Sequence, residues 1–181
     1  MTDTELIALA KAGDDSAFEV LVKRHESRVA ATVISMLGRC PEADDVGQET
    51  FIRFYNGLKN FRGDSNVATY ITRIAINLSL NELKRRKRKT MLFIKPEYEN
   101  SDIVDHNNQD QFNEEKEFVN MAIKKLQPKF QSVIVLRLID GYSTEETAEI
   151  LKIPVGTVLS RLARGQQKLK NLLSSYLGGL R

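Results

Sequence analysis

The chain has 181 residues, 41% of them hydrophobic, which is enough for a packed core in one large domain or two small ones. A single cysteine, Cys40, excludes an internal disulfide, and the sequence has no Cys/His cluster of the kind that binds zinc. No apolar run approaches the length of a bilayer span and no secretory leader is read at the N-terminus, so the expectation is a soluble, cytoplasmic protein with no membrane insertion. With 10 Gly, 4 Pro and no long β-type alternation, an all-helical chain is the simplest reading. The net charge of +3 hides an uneven distribution. Residues 1–95 carry 16 Lys/Arg against 12 Asp/Glu, residues 96–117 carry 1 against 8, and residues 118–181 carry 10 against 4. Two basic modules therefore flank an acidic joint.

In chain order, Thr4 to Ala12 reads as a short opening helix, broken by Gly13-Asp14-Asp15. A longer helix comes next, with Phe18, Leu21, Val22, Val29, Val33 and Leu37 spaced by about 3 and 4, ending at Gly38. Pro41 opens a third helix that runs to about Phe61; its residues Phe51, Phe54, Leu58 and Phe61 form a core side. Asp45, Gln48, Glu49, Ile52 and Asn56 cluster on another face of that helix, acidic with one apolar member, which is either a protein-docking face or a solvated one. Arg62-Gly63-Asp64-Ser65-Asn66 is a polar loop.

A fourth helix runs from about Val67 into the basic run Lys84-Arg85-Arg86-Lys87-Arg88-Lys89. Tyr70, Arg73, Asn77, Asn81, Lys84 and Arg88 are spaced 3, 4, 4, 3 and 4 apart and share one face. An aromatic ring, amides and cations on one rigid helix form a platform for unpaired DNA: the ring stacks bases, amides reach base edges and cations hold phosphates. The competing reading is a solvated face on a core helix. Residues 96–115, acidic and amide-rich with little periodicity, read as a linker that is flexible in the free protein. Phe112 to Leu126 resumes as a helix, and Pro128 starts another that carries Val133, Leu136 and Leu138.

The most specific stretch is Gly141 to Arg164. Ser143 and Glu146 make a capping box for a short helix with Ala148, Ile150 and Leu151 on its apolar side. Lys152-Ile153-Pro154 ends it, and Pro154 suits the first position of a second helix. There Val155, Val158, Leu162 and Leu169 are expected to face inward, with Thr157, Ser160, Arg161, Arg164 and Lys168 opposite. A helix braced by another, with hydroxyls and guanidinium groups outward, has the layout of a helix-turn-helix reading head. The competing reading is a structural αα-hairpin.

Taken in order, these blocks resemble the extracytoplasmic-function (group IV) sigma factors of the sigma-70 family, over nearly the whole chain except the linker. Asp44-Asp45-Val46-Gly47-Gln48-Glu49-Thr50-Phe51-Ile52-Arg53 resembles the family's polymerase-docking motif. Phe61 to Ser65 with Tyr70 to Asn77 resembles its promoter-melting segment, and Pro154 to Leu162 its upstream-element reader. The resemblance implies an all-α protein of two small helical domains joined by a flexible acidic linker. Residues 1–95 would dock on the β′ clamp helices of core RNA polymerase through Asp45, Gln48, Glu49, Ile52, Arg53 and Asn56. The same domain would open the minus-ten element with Arg62, Gly63, Asp64, Ser65, Asn66, Tyr70, Arg73, Asn77, Asn81, Lys84 and Arg88. Residues 116–181 would meet the β flap and bind the minus-thirty-five element of promoter DNA with Pro154, Val155, Gly156, Thr157, Ser160, Arg161, Arg164 and Lys168. An anti-sigma factor is the further partner implied. The polymerase does the chemistry, so no catalytic residue, metal or cofactor is expected.

The sequence departs from the family pattern at four places. Tyr70 stands where Trp is usual and stacks over a smaller area. Gly47 stands at an apolar position inside a helix, Lys152 replaces the usual turn Gly, and Leu159 stands where Lys or Arg is frequent. The helical wheel turns Leu159 away from the Arg161–Arg164 face, toward the core side. Two other functions compete. A helix-turn-helix regulator acting without polymerase explains residues 118–181 but neither the docking-like face nor the Tyr/Asn/Arg stripe. A metal-dependent nucleic-acid enzyme would have to use Asp44, Asp45 and Glu49, with no His or third carboxylate on the shared face.

Overall fold

The computed structural model describes residues 1–63, 65–93 and 111–178, with side chains for 1–63, 65–91 and 117–175. Asp64 and the expected flexible linker up to residue 110 lie outside the described residues. The described elements are α1 (Asp3–Lys11), α2 (Asp15–Leu37), α3 (Pro41–Gly57), a 3₁₀ turn (Leu58–Asn60), α4 (Val67–Phe93), α5 (Gln111–Lys124), α6 (Pro128–Ile134), a π turn (Val135–Ile139), α7 (Thr144–Leu151) and α8 (Val155–Gly178), with no strand among them. The all-helical expectation holds. The α5 helix starts at Gln111, so residues 111–115, expected as linker, are helical.

Local chemistry sets the ends. Thr2 and Glu5 make a capping box on α1, and Asp14 accepts from the backbone of Ser16 and Ala17 to start α2. Pro41 occupies the first turn of α3. Gly38, with φ of 84°, turns the chain out of α2 at an angle that a β-carbon would resist.

Helices α1 to α4 form one layered group around Leu21, Phe54, Ile71 and Ile76, each at most 1% exposed. The second group, α5 to α8, closes on α6. Gly165 of α8 allows the close approach, since a β-carbon there would lie 3.1 Å from Cγ1 of Ile134. One apolar core runs unbroken through both groups.

Every residue of α6 and the π turn from Phe130 to Leu136 is buried, including the polar Gln131 and Ser132. A helix buried all round must have partners on both sides. On one side lies α8; on the other lie α2 and α4 of the first group. Gln131 Nε2 donates to the carbonyls of Met36 (2.9 Å) and Ser35 (3.3 Å) near the end of α2. Beyond α6 the Thr32 hydroxyl lies 2.8 Å from Oδ2 of Asp140, and the hydroxyls of Thr72 and Tyr142 are 2.7 Å apart. Arg28 sits over the Tyr142 ring at 5.8 Å and donates to its hydroxyl at 3.4 Å.

The π turn explains a difference from the sequence reading. Val133 and Leu136 are fully buried, but Leu138, expected beside them, is 52% exposed. The Asp140 N–H bonds back five residues to Val135 (2.9 Å), and the wider turn rotates the end of the segment. Leu138 and Ile139 swing outward and Asp140 meets α2.

Burial pushes the Asp140 carboxyl up to about 6, against the opposing pull of the Thr32 hydrogen bond and the Arg28 charge. Because the folded value exceeds the ordinary 3.8, Asp140 favours the folded form most below pH 4, and that contribution is lost as pH rises through 6. The stability of wild type relative to Asp140→Asn is therefore expected to fall by about 3 kcal/mol between pH 4 and pH 8. Chemical denaturation of both proteins across that range measures the difference. A constant gap between them would contradict the burial of an ionisable group here.

Candidate nucleic-acid interface

Helix α4 is enclosed by α2 and α3 on one side and by α6 and α7 on another. Ile71, Thr72, Ala75, Ile76 and Ser79 are at most 1% exposed, and between Val67 and Leu80 only Asn77 is fully open. Farther along, Asn81, Lys84 and Arg88 are exposed. The expected stripe is thus the strip of α4 left uncovered, with Tyr70 and Arg73 half-buried at its start.

Tyr70 is not a free platform. Its ring packs edge-on against Phe61 at 4.9 Å and tilted against Phe54 at 6.1 Å, and the Arg73 guanidinium lies 5.1 Å from its centroid. Its hydroxyl reaches Gly57, where a β-carbon would come within 2.8 Å. Tyr70 therefore joins the core to the surface, and Arg73 covers it.

The loop and the stripe meet. A cavity of about 280 Å³ is lined by Asn60, Phe61, Arg62, Ser65, Tyr70 and Arg73. A larger groove of about 760 Å³ continues across Arg62, Gly63, Ser65 and Asn66 to α1 and to Arg24 of α2. Lys11 Nζ donates to the Phe61 carbonyl (2.5 Å) and anchors the start of the loop to α1. Asn66 is exposed, but its side-chain oxygen accepts from the Ala68 N–H (2.9 Å) and so caps α4. Gly63 takes φ of 80°, a left-handed turn that suits glycine.

Sequence reasoning missed the α1 side of this groove. Arg24 and His25 both bond Asp3, at 2.5 and 2.9 Å, fixing α1 over α2. Burial raises the Asp3 carboxyl, but these two partners outweigh it and hold it below the usual range. Nothing in the spacing of residues twenty apart signals such a pairing.

On α3, Asp45, Gln48, Ile52, Arg53 and Asn56 are exposed and Glu49 is half-buried. Ile52, 55% exposed, is an apolar side chain left in water on an otherwise polar face. Glu49 accepts from Arg53 Nε at 2.7 Å. Among the described residues no group of three or more His, Cys, Asp or Glu side chains is placed to hold a metal.

The basic run divides in two. Arg85 and Arg86 turn back on Glu82, at 2.6 and 3.1 Å, and Arg86 also reaches the Leu37 carbonyl (3.2 Å) and Cys40 Sγ (3.1 Å). Hydrogen bonds from Arg85 lead in holding the Glu82 carboxyl below its usual range. Lys84 and Arg88 on the stripe, and Lys87 and Lys89 beside it, remain exposed.

In the second group, the Ser143–Glu146 capping box forms as expected, with bonds of 2.7 and 3.1 Å. Lys152 adopts φ of 52°, the one described non-glycine residue in the left-handed region, as its place at a glycine turn position implied. Pro154 stands just before α8: its carbonyl accepts from Val158 (3.1 Å), making it the cap rather than the first helical residue.

The phase of α8 differs from the wheel expectation. Val158 and Gly165 are buried with Leu162, Leu169 and Leu172 half-buried, while Val155 and Leu159 are 41% and 53% exposed. Val155 does not face inward and Leu159 does not turn to the core. Gly165 packs against Ile134 and Phe130 of α6, so the inward line of α8 runs through Val158, Leu162, Gly165 and Leu169, and Val155 and Leu159 lie outside it. The outward face then carries Gly156, Leu159, Ser160 and Arg164, with Lys168 exposed beyond, while Thr157 and Arg161 are half-buried at its edge.

The chain matches Sigma-70 region 2 over residues 21–89 and Sigma-70 region 4 over residues 119–169. It is 31% identical over 184 residues to RNA polymerase sigma-H factor of Pseudomonas aeruginosa, covering 97% of this chain and 95% of that protein. It is 33% identical over 186 residues to the ECF RNA polymerase sigma-E factor of Haemophilus influenzae, covering 98% of each. The chain belongs to the extracytoplasmic-function sigma factors. Among solved structures, CnrH in complex with the cytosolic domain of CnrY is similar, with a TM-score of 0.70, 28% identity, and coverage of 96% of this chain and 97% of that one. As an alternative sigma factor, the protein binds core RNA polymerase and promoter DNA and directs promoter-specific initiation. The region 2 match spans α3 and most of α4, which a regulator acting without polymerase leaves unexplained. Among the described residues no helix is long and apolar enough to cross a membrane.

The packing of Tyr70 generates a prediction. Tyr70→Ala removes ring contacts to Phe54 and Phe61 and is expected to destabilise the protein by about 2–4 kcal/mol. Tyr70→Phe keeps the contacts and should cost less than about 1 kcal/mol. Thermal or urea unfolding of the two variants checks this; equal, small losses would mean that the ring is a free surface group.

Proposed function

We propose that the cavity at the loop–α4 junction receives an unpaired base of the minus-ten element while the exposed stripe tracks the strand. The observation that carries this is the convergence of Arg62, Ser65, Tyr70 and Arg73 on one open cavity, with the exposed Asn77 one helical turn along α4 from Arg73. Extruding a base costs a few kcal/mol, and a pocket offering stacking, hydrogen bonds and a cation offsets it. Asn81, Lys84 and Arg88 continue the same strip as phosphate and sugar contacts. Asn77→Ala removes no packing, so it separates function from folding. It is expected to lower open-complex formation at a responsive promoter at least fivefold with little change in closed-complex binding, read by permanganate reactivity. Equal loss of both complexes would assign Asn77 to general DNA affinity instead.

The exposed α3 face, acidic around Ile52, is the surface we assign to the clamp helices of core polymerase. Reversing Asp45 and Glu49 to Lys sets like charge against a basic partner, which costs several kcal/mol at an interface. Affinity for core polymerase should drop by a factor of 100 or more, with the circular dichroism spectrum unchanged. Unaltered affinity in the folded double variant would remove this face from the docking site.

In the second domain, Ser160 and Arg164 read or position against the minus-thirty-five element, with Thr157, Arg161 and Lys168 mainly on phosphates. A bidentate Arg–guanine contact discriminates by about 1–3 kcal/mol. Arg164→Ala in the full chain should narrow the preference for a promoter over one with a scrambled upstream element, in transcription with core enzyme. The β flap is the partner proposed for the second domain and an anti-sigma factor for the whole chain. The protein needs no cofactor and does no chemistry of its own, and its work is cytoplasmic.

A further inference from the structure

The phase of α8 puts an apolar edge on the helix assigned to the upstream element. Val155, Leu159 and Ala163 are spaced four residues apart, so they fall along one edge of the helix. All three are exposed, Val155 at 41% and Leu159 at 53%. One exposed leucine on a protein surface calls for no account. Two large aliphatic side chains in the first two turns of a reading helix do, because those are the turns that approach base edges.

The other edge of the same outward face is polar. Ser160 and Arg164 are exposed there, one turn apart. The Ser160 hydroxyl donates to the Thr157 carbonyl at 3.1 Å, so its proton is in use and it offers lone pairs outward. Between the two edges lies Gly156, exposed and outside the left-handed region of backbone space. A β-carbon on it would meet nothing within 4 Å, so the fold itself does not require glycine there. The missing side chain leaves the backbone of the first turn open to close approach from outside.

Leucine has neither a donor nor an acceptor, so in a major groove it distinguishes base pairs in one way only. The C5 methyl of thymine is the apolar group that the groove presents. Against that methyl, Leu159 removes apolar surface from water on both sides of the contact. Against guanine O6 and N7, or the cytosine amino group, the same side chain displaces water and returns no hydrogen bond, which lowers affinity. The two effects have the same sign: one side chain favours thymine and rejects a G·C pair.

We propose that Leu159, with Val155 and Ala163 beside it, selects a thymine in the minus-thirty-five element by contact with its C5 methyl, at a base pair where Lys or Arg in its place would call for guanine. The proposal rests on the assignment of α8 to that element. Arg164 and the cations around it hold the duplex, and Leu159 sets one letter of the sequence. It is a specificity-determining residue rather than a source of general affinity, because it has no charge to displace a counterion.

The test uses the full chain bound to core polymerase. At a promoter that this holoenzyme transcribes, the upstream element is randomised and the bound fraction is sequenced. Wild type should fix a thymine at one position that Leu159→Ala leaves open, with the other positions unchanged. Replacing that thymine by deoxyuridine removes only the methyl group. It should weaken the wild-type holoenzyme about fourfold, the equivalent of one buried methyl, and leave Leu159→Ala unaffected. Leu159→Arg should fix guanine at the same position. Identical selected elements for wild type and Leu159→Ala, a deoxyuridine effect of equal size in both, or thymine retained by Leu159→Arg would overturn the role of Leu159. If a fully scrambled upstream element is bound as tightly as the intact one, the assignment of α8 to that element falls, and the proposal with it.

Discussion

Enclosure of α4 on most of its circumference is the constraint on which the rest of the molecule depends. Ile71, Ala75 and Ile76 are locked into the core, and Thr72 is committed to the second domain. What remains is a narrow strip whose side chains cannot be apolar without exposing a sticky ridge. The same enclosure makes the strip rigid. On the proposed reading, a single strand laid along Asn77, Asn81 and Arg88 would meet groups carried on a backbone already in place, so little ordering entropy would be lost.

The helix also joins the cavity to the contact between the two helical groups. Tyr70, Thr72 and Arg73 lie within one turn. Tyr70 and Arg73 line the cavity, and Thr72 bonds Tyr142 across the domain contact. The lining of the cavity and the contact with the second domain are therefore built on neighbouring residues of one helix.

Much of this was legible in the sequence, and the failures have physical causes. Periodicity located each helix, the capping box located the start of α7, and the 3-and-4 spacing of Tyr70 to Arg88 located the exposed strip. The exposed residues of α3 were legible because their exposure depends on one helix alone. The wheel of α8 was right for Val158, Leu162 and Leu169 and wrong for Val155 and Leu159, and the packed line includes Gly165, a residue with no side chain to register in an apolar pattern. The π turn escaped because one widened turn leaves no periodic trace, and it moved Leu138 from core to surface. The domain contact escaped for a different reason: Thr, Gln and Asp about a hundred residues apart carry no local signal that they will meet.

The division of the basic run has a consequence for how this protein responds to ions. Counting charges along Lys84 to Lys89 gives six cations available to phosphate. Arg85 and Arg86 are already paired with Glu82, and Arg86 is further engaged with Glu42 (3.5 Å), the Leu37 carbonyl and Cys40. Only four are free to displace counterions from a nucleic acid. Since each displaced counterion adds about 0.7 to the logarithmic dependence of single-strand affinity on salt, on the proposed reading this end of α4 would contribute a slope near 3 rather than 4. Arg86, which the sequence shows only as one member of a basic run, is instead the clasp that fastens the end of α2 and the start of α3 to the far half of α4, while Arg85 folds back on Glu82.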